Sequence, residues 1–244
     1  WTHIVDMRRS ALPWLLWARH RASAAKGQPD THRISSYARA LRLSPPPHPM
    51  VWTLPENRRR ADALLGHAKT VVAIAPTANW PAKVWPATRF ADLVTRLTNP
   101  EGPLAGAAVF VTGGPGEEHQ AQPVMDAVPA ERLIAGVGLD LATTAAVFAR
   151  CRLFVGNDSG LMHLAAAAGA PTLGLFGPTN DTAYAPVGRA TRVVRTPESL
   201  NQLVNKPGFD HRTAGSQMTS LTVATVETAA RDQLTATDAA EGSG

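Results

Sequence analysis

The stretch Gly156-Asn-Asp-Ser-Gly-Leu-Met-His163 places a carboxylate, a hydroxyl, a glycine and an imidazole within six residues, between an apolar run and an alanine-rich one. A helix that starts here leaves backbone N–H groups unpaired and carries roughly +0.5 of a charge at its N-terminus, so it attracts anions. Gly160 lets a phosphate approach the backbone, and Ser159 adds a hydroxyl donor. His163, four residues beyond Ser159, falls on the same side of the first turn. Each residue also has a plainer use: Asp158 or Ser159 as a helix cap, His163 as a partly buried residue of a packing face. Their coincidence at one strand end favours an anion site.

Two other stretches end apolar runs in the same way. Ala75-Pro-Thr-Ala-Asn-Trp-Pro-Ala-Lys-Val-Trp-Pro86 carries Thr77, Asn79 and Lys83. The chain has twenty arginines and only four lysines, so Lys83 stands out from the background. Its compact ammonium suits a point contact with a diphosphate, the alternative being a solvated loop lysine. Thr112-Gly-Gly-Pro-Gly-Glu-Glu118 matches neither Gly-x-Gly-x-x-Gly nor a Walker loop. It reads as a tight turn, or as a turn whose Glu117 takes a ribose or sugar hydroxyl. A serine hydrolase is rejected, because Gly156-Asn-Asp-Ser159-Gly160 departs from Gly-x-Ser-x-Gly and one helix face places Ser and His poorly for proton transfer. No His/Cys/Asp/Glu set has metal-ligand spacing, so no metal is expected.

These stretches need a scaffold that brings strand ends together. Near-continuous apolar runs at 70–76, 107–113, 132–137, 152–157, 171–177 and 191–195 read as strands buried on both faces. Helical patterns separate most of them: Ala87–Thr98, Glu117–Val128, Leu141–Cys151 and Leu161–Gly169, with Asp140 as a cap for the third. Single helices between strands predict right-handed crossovers and an α/β, Rossmann-like, doubly wound parallel sheet. Ligands of such sheets sit beyond the carboxyl ends of the strands, where all three stretches lie. Before this domain the chain reads as a strand at 3–7, a helix over 11–21, a second helix over 33–43 and an extended Ser-Pro-Pro-Pro-His-Pro segment. Residues 220–234 read as a final helix and 235–244 as a frayed end. The expected domains are 1–60, a partial α/β domain; 61–205, the Rossmann-like domain; and 206–244, tail and final helix.

Composition narrows the class. Hydrophobic residues at 44% with 18% charged residues fit a soluble globular protein with a sizeable core. No run of ~18 apolar residues predicts a membrane span. Asp6, Arg8 and Arg9 interrupt the start before a signal-peptide core develops, and the absence of an initiator Met suggests a start inside a longer product. The lone Cys151 cannot form an internal disulfide, in keeping with a reducing compartment or a site where disulfides are not needed. Residues 1–60 hold eleven Lys/Arg against three acids, a local +8, and the remainder is −3. That is either a solvated basic surface or a face for a phospholipid surface or a phosphorylated glycolipid. Nucleic acid is not expected as a partner, since no helix-turn-helix, zinc-finger or RNP signature accompanies the charge.

Residues 75–94, 109–119 and 153–179 together resemble the ADP-heptose:lipopolysaccharide heptosyltransferase family: a Lys-x-Trp-Pro loop, a glycine-rich turn ending in an acid, and an Asp-Ser-Gly-x-x-His turn stand in the family's order. The resemblance covers residues 68–195, with a weaker likeness of 2–21 to a late βα unit of the family's acceptor domain. It implies the C-terminal half of a GT-B fold with an incomplete N-terminal α/β domain, and a final helix that crosses back onto the latter. It implies an inverting transfer of heptose from ADP-heptose to a lipopolysaccharide core acceptor, an anionic glycolipid, with no cofactor. It also implies a cytoplasmic location, with peripheral contact at the inner membrane. Thr77 and Lys83 would hold the diphosphate, with Lys83 stabilising the leaving group. Glu117 would contact the ribose and Asp158 the donor sugar or the turn, while Ser159, Gly160 and His163 would line the phosphates. The family's opening strand and its acceptor-activating acid have no match here, and Asp6 does not inherit that role. Other readings are a GT-B enzyme with another donor, a sugar-nucleotide epimerase, or a non-catalytic interaction fragment.

Overall fold

The computed structural model describes residues 1–8, 10–24, 30–210 and 212–242. Arg9 and Lys26 of the basic segment, His211, and Ser243 and Gly244 of the expected frayed end lie outside the described residues. The chain forms two compact units, Trp1–His48 with Asn180–Ala185, and Pro49–Thr179 with Pro186–Gly244.

In the smaller unit, β1 (His3–Asp6) pairs in parallel with β2 (His20–Ser23), joined by the one-turn helix α1 (Leu12–Leu15). The sequence predicts a helix over 11–21. It stops early because the Arg21 guanidinium closes onto the carbonyls of Pro13 (2.7 Å) and Leu16 (3.0 Å), while His20 N–H bonds to Thr2 O and starts the second strand. Helix α2 (Arg33–Ala40) follows as expected; His32 Nδ1 accepts from Ile34 N–H at its start.

The larger unit opens with α3 (Pro55–Leu65) and contains a six-stranded parallel sheet. Its strands are β3 (Val71–Ala75), β4 (Ala108–Val111), β5 (Leu133–Ala135), β6 (Leu153–Asn157), β7 (Thr172–Phe176) and β8 (Thr191–Arg195). Between them run α4 (Ala87–Thr98), α5 (Glu118–Asp126), α6 (Leu141–Phe148), α7 (Gly160–Ala167) and the short α8 (Asp181–Tyr184), the last belonging to the smaller unit. Two more helices, α9 (Leu200–Val204) and α10 (Val223–Glu241), complete the chain. The order β5-β4-β3-β6-β7-β8 reverses between β3 and β6, which makes that gap the topological switch point. All six expected strands are present.

The period-two rule splits their side chains between two cores. Val72, Ile74, Val109, Val111, Val155 and Leu175 face α4, α5 and α10; Ala73, Phe110, Phe154 and Phe176 face α3, α6 and α7. Helix α7 lies close to the sheet because Gly174 has no side chain: a Cβ there would meet Met162 Sδ at 2.4 Å.

Two boundaries differ from the sequence reading. The expected boundary between residues 60 and 61 falls inside α3, which packs with the larger unit because Ala61 and Leu65 bury in its second core and Asp62 pairs with Arg150 at 2.7 Å. The stretch 235–241, expected to fray, continues α10, whose Val226, Ala230 and Leu234 are buried. Its apolar face packs on α4 and on β6, β7 and β8.

Candidate active site

The C-terminal ends of β3, β4 and β6 open into a cleft of about 1170 Å³. Thr77, Lys83, Glu117, Asp158, Ser159, Gly160 and His163, the seven residues singled out in the sequence, all line it.

Strand β6 delivers the central group. Asp158 N–H extends the ladder to Leu175 O (3.1 Å), and the chain then turns into α7 with Ser159 in extended conformation at the cap position. Neither side chain caps the helix. Asp158 Oδ2 instead pairs with Lys83 Nζ at 3.3 Å, both side chains being about nine-tenths buried (12% and 10% exposed). Ser159 Oγ is buried with no hydrogen-bond partner among the described residues. A buried hydroxyl left unmatched beside free helix N–H groups is a donor available to a ligand. At Gly160 a Cβ would find no atom within 4 Å, so the first turn of α7 faces open cleft. His163 is exposed on the cleft wall, whereas its neighbour Met162 is buried. The packing-face reading of this histidine is thereby corrected: the burial falls one residue earlier on the helix.

Strand β3 delivers Thr77, 1% exposed, and the loop that carries Lys83. That loop folds as a 3₁₀ turn, Pro81–Lys83, and is pinned at both ends by Asn157. Asn157 Oδ1 accepts from Trp85 N–H (3.0 Å), and its Nδ2 donates to Pro76 O (2.8 Å). Trp85 is wholly buried, edge-on to Phe90, with its indole N–H on Leu221 O at 2.8 Å. The tryptophan of the Lys-x-Trp-Pro loop is therefore an anchor, and the lysine two residues earlier is the group it presents.

Strand β4 delivers the glycine turn. Glu117 Oε2 accepts from Gly114 N–H at 2.7 Å, and Gly116 takes the left-handed conformation (φ +82°) that the turn requires. The carboxylate closes its own turn and still borders the cleft. Asp140, the cap expected for α6, accepts from Thr143 N–H at 2.8 Å. The hydrogen bonds of Thr143, with Arg60 at 3.0 Å, hold its carboxyl below the usual range. Burial pushes the Cys151 thiol up, away from reactivity. Among the described residues no group of three or more His, Cys, Asp or Glu could hold a metal ion.

Sequence reading passed over Asn157, which does as much to place Lys83 as any lining residue. Its only signal was a polar residue ending an otherwise apolar strand.

Residues 6–210 match glycosyltransferase family 9 (heptosyltransferase). The lipopolysaccharide heptosyltransferase 2 of Salmonella typhimurium is 29% identical over 161 residues, 61% of this chain and 44% of its own length. The chain thus spans less than half of that curated relative. Among solved structures, the E. coli ADP-heptose lipopolysaccharide heptosyltransferase II superposes with a TM-score of 0.75 at 19% identity, covering 98% of this chain and 78% of that one. An E. coli heptosyltransferase solved with ADP gives 0.62 at 21% identity, over 95% and 65% of the two chains. At those identities the superpositions establish a shared fold. With five-sixths of its length matched, the chain belongs to glycosyltransferase family 9, the heptosyltransferases.

Proposed function

We propose that this chain supplies the donor site of an inverting heptosyltransferase that moves heptose from ADP-heptose to a lipopolysaccharide core acceptor. The observation that carries the reading is the convergence of a buried ammonium, an unpartnered buried hydroxyl and an open helix N-terminus in one cleft at the sheet's switch point. Family membership and a structural neighbour solved with ADP support the choice of donor.

In this reading the diphosphate lies across the first turn of α7, with Thr77, Lys83, Ser159, Gly160 and His163 around it. Glu117 borders the ribose and Asp158 the sugar. The acceptor oxygen attacks the anomeric carbon from the face opposite the diphosphate. A new glycosidic C–O bond forms as the bond to the β-phosphate oxygen breaks, and its electron pair leaves with ADP. Lys83 and the α7 N–H groups meet the charge that grows on the departing oxygen, in a site where they need no reorganisation. The acceptor's proton goes to a base outside the set assigned here. Asp6, whose carboxylate accepts from the N–H groups of Arg8 (2.8 Å) and Ser10, is not assigned that role.

The acceptor class, an anionic glycolipid, is supported by the net +8 of residues 1–60. The same charge supports peripheral contact with the cytoplasmic face of the inner membrane. No described helix is long and apolar enough to cross a membrane.

Thermal unfolding with ADP, UDP and GDP in parallel tests the donor. ADP is expected to raise Tm and Lys83→Ala to abolish the rise. Gly160→Ala, whose added Cβ meets no protein atom, should keep the unliganded Tm and reduce the shift. No ADP-dependent shift overturns the reading, and a preference for UDP overturns the heptose donor.

A further inference from the structure

Lys83 has a second neighbour that the site's chemistry has not used. Its Nζ lies over the indole of Trp80, 4.9 Å from the ring centroid, while the same atom is 3.3 Å from Asp158 Oδ2. The local sequence builds this. Trp80 precedes a proline, which biases it to the extended backbone it adopts (φ −116°, ψ 121°). Pro81 then opens the 3₁₀ turn, closed by Lys83 N–H on Trp80 O at 3.0 Å. Side chains three apart in a 3₁₀ turn eclipse each other, so Trp80 and Lys83 stand on the same side. The turn cannot swing away, because Ala82 is buried and its carbonyl takes Gln217 N–H at 2.9 Å.

We propose that Trp80 is a positioning residue for Lys83: its ring holds the ammonium against Asp158 and toward the start of α7. The choice of an aromatic ring has a physical consequence. A second carboxylate would fix the ammonium equally well, but it would make the group around Lys83 net negative where a diphosphate must enter. A ring face attracts the cation without adding formal charge. The trio of Lys83, Asp158 and Trp80 is neutral, and the free side of the ammonium still presents positive potential to an anion. Partial exclusion of water by the indole strengthens that potential. The inference rests on the donor-site reading for its use, but the placement of Lys83 is testable without any ligand.

The chain has four lysines, Lys26, Lys69, Lys83 and Lys206, so reductive ¹³C-methylation, which keeps the charge, gives a short list of NMR signals. The signal missing in Lys83→Arg identifies Lys83. It is expected to be shifted upfield by the indole ring current in the wild type and to return toward the position of exposed lysines in Trp80→Leu. Trp80→Phe should keep part of the shift. A Lys83 signal already at the exposed position, or one unmoved by Trp80→Leu, overturns the proposal. In an ADP titration, Trp80→Leu should weaken binding on the order of fivefold to thirtyfold, and add nothing further in a Lys83→Ala background. Equal weakening in both backgrounds marks a merely structural role and overturns it too. A ring-shifted Lys83 in a chain that binds no ADP sinks the donor reading while upholding the placement by Trp80.

Discussion

The two units of this chain put similar apolar material to opposite use. In the larger one, β3, β6 and β7 are buried at every residue, and Phe148 and Phe154 lock edge-to-face at 5.2 Å. In the smaller one, no residue of β1 or β2 is buried, and Trp1, Trp14 and Trp17 are 82%, 81% and 90% exposed. A strand with helices on both faces is over-determined: shifting it by one residue would exchange its two cores. A two-stranded ladder carries no such constraint. All seven candidate residues sit on the over-determined unit, where β3, β4 and β6 hold the loops that present them. Placing charged groups to within an ångström requires that kind of support.

The sharpest way to break this comparison is to remove one large aromatic from each unit. Phe154→Ala empties a fully buried site and should cost about 3–5 kcal/mol in urea unfolding. Trp17→Ala removes a larger side chain from solvent and should change stability by no more than about 0.5 kcal/mol. A Trp17 effect matching that of Phe154 would mean that the smaller unit buries this ring, against its observed exposure.

The same contrast explains what the sequence disclosed. The six strands and α4 were legible almost to the residue, because continuous apolar runs and a 3.6-residue period are one-dimensional signals of burial. The gathering of the candidate residues in one cleft was legible because strand ends in a doubly wound sheet must meet at one edge, whatever the loops do. The smaller unit was not: an apolar pattern over 11–21 reads as a helix, yet Arg21 terminates α1 through carbonyls five and eight residues away. Asn157 and Trp80 escaped for a related reason. Their roles depend on how the 76–85 loop folds back over the sheet, and no periodicity records that. The cap was the plainer use open to Asp158 or Ser159, but the structure pairs the first with Lys83 and leaves the second without a partner among the described residues, since nothing local to an Asp-Ser pair encodes a lysine 75 residues earlier.

Asn157→Leu tests how far the loop depends on that single amide. The substitution keeps the forked shape, at a larger volume, but leaves Trp85 N–H and Pro76 C=O, both in buried residues, without their partner. An orphaned buried backbone group costs about 1–3 kcal/mol, so a loss of about 2–4 kcal/mol is expected, smaller than at Phe154. The ADP-induced rise in Tm should shrink as well, because Thr77 and Lys83 ride on the released loop. A stability loss with an undiminished ADP response would show that the loop is held elsewhere, by Ser216 and Gln217 on the carbonyls of Val84 and Ala82.

The smallest expected effect contrasts two helix starts, the His32 imidazole on α2 and the Asp140 carboxylate on α6. Asp140 accepts from Thr143 N–H and lies 3.0 Å from Arg60, and these interactions favour its charged form. Its folded pKa therefore lies below the unfolded value of 3.8. A depressed carboxylate contributes stability that is fully present above the unfolded value and is lost as pH falls through the folded one. Asp140→Asn keeps an oxygen that can cap the helix but removes the charge. At pH 7 the wild type should be the more stable of the two, and in urea unfolding the gap should close as the pH drops below 3.8. Asp140→Ala should cost about 1 kcal/mol at neutral pH, through loss of the cap itself. If the gap between wild type and Asp140→Asn persists unchanged into acid, the charge is not its source. The cap then acts through geometry alone, as a neutral side chain would.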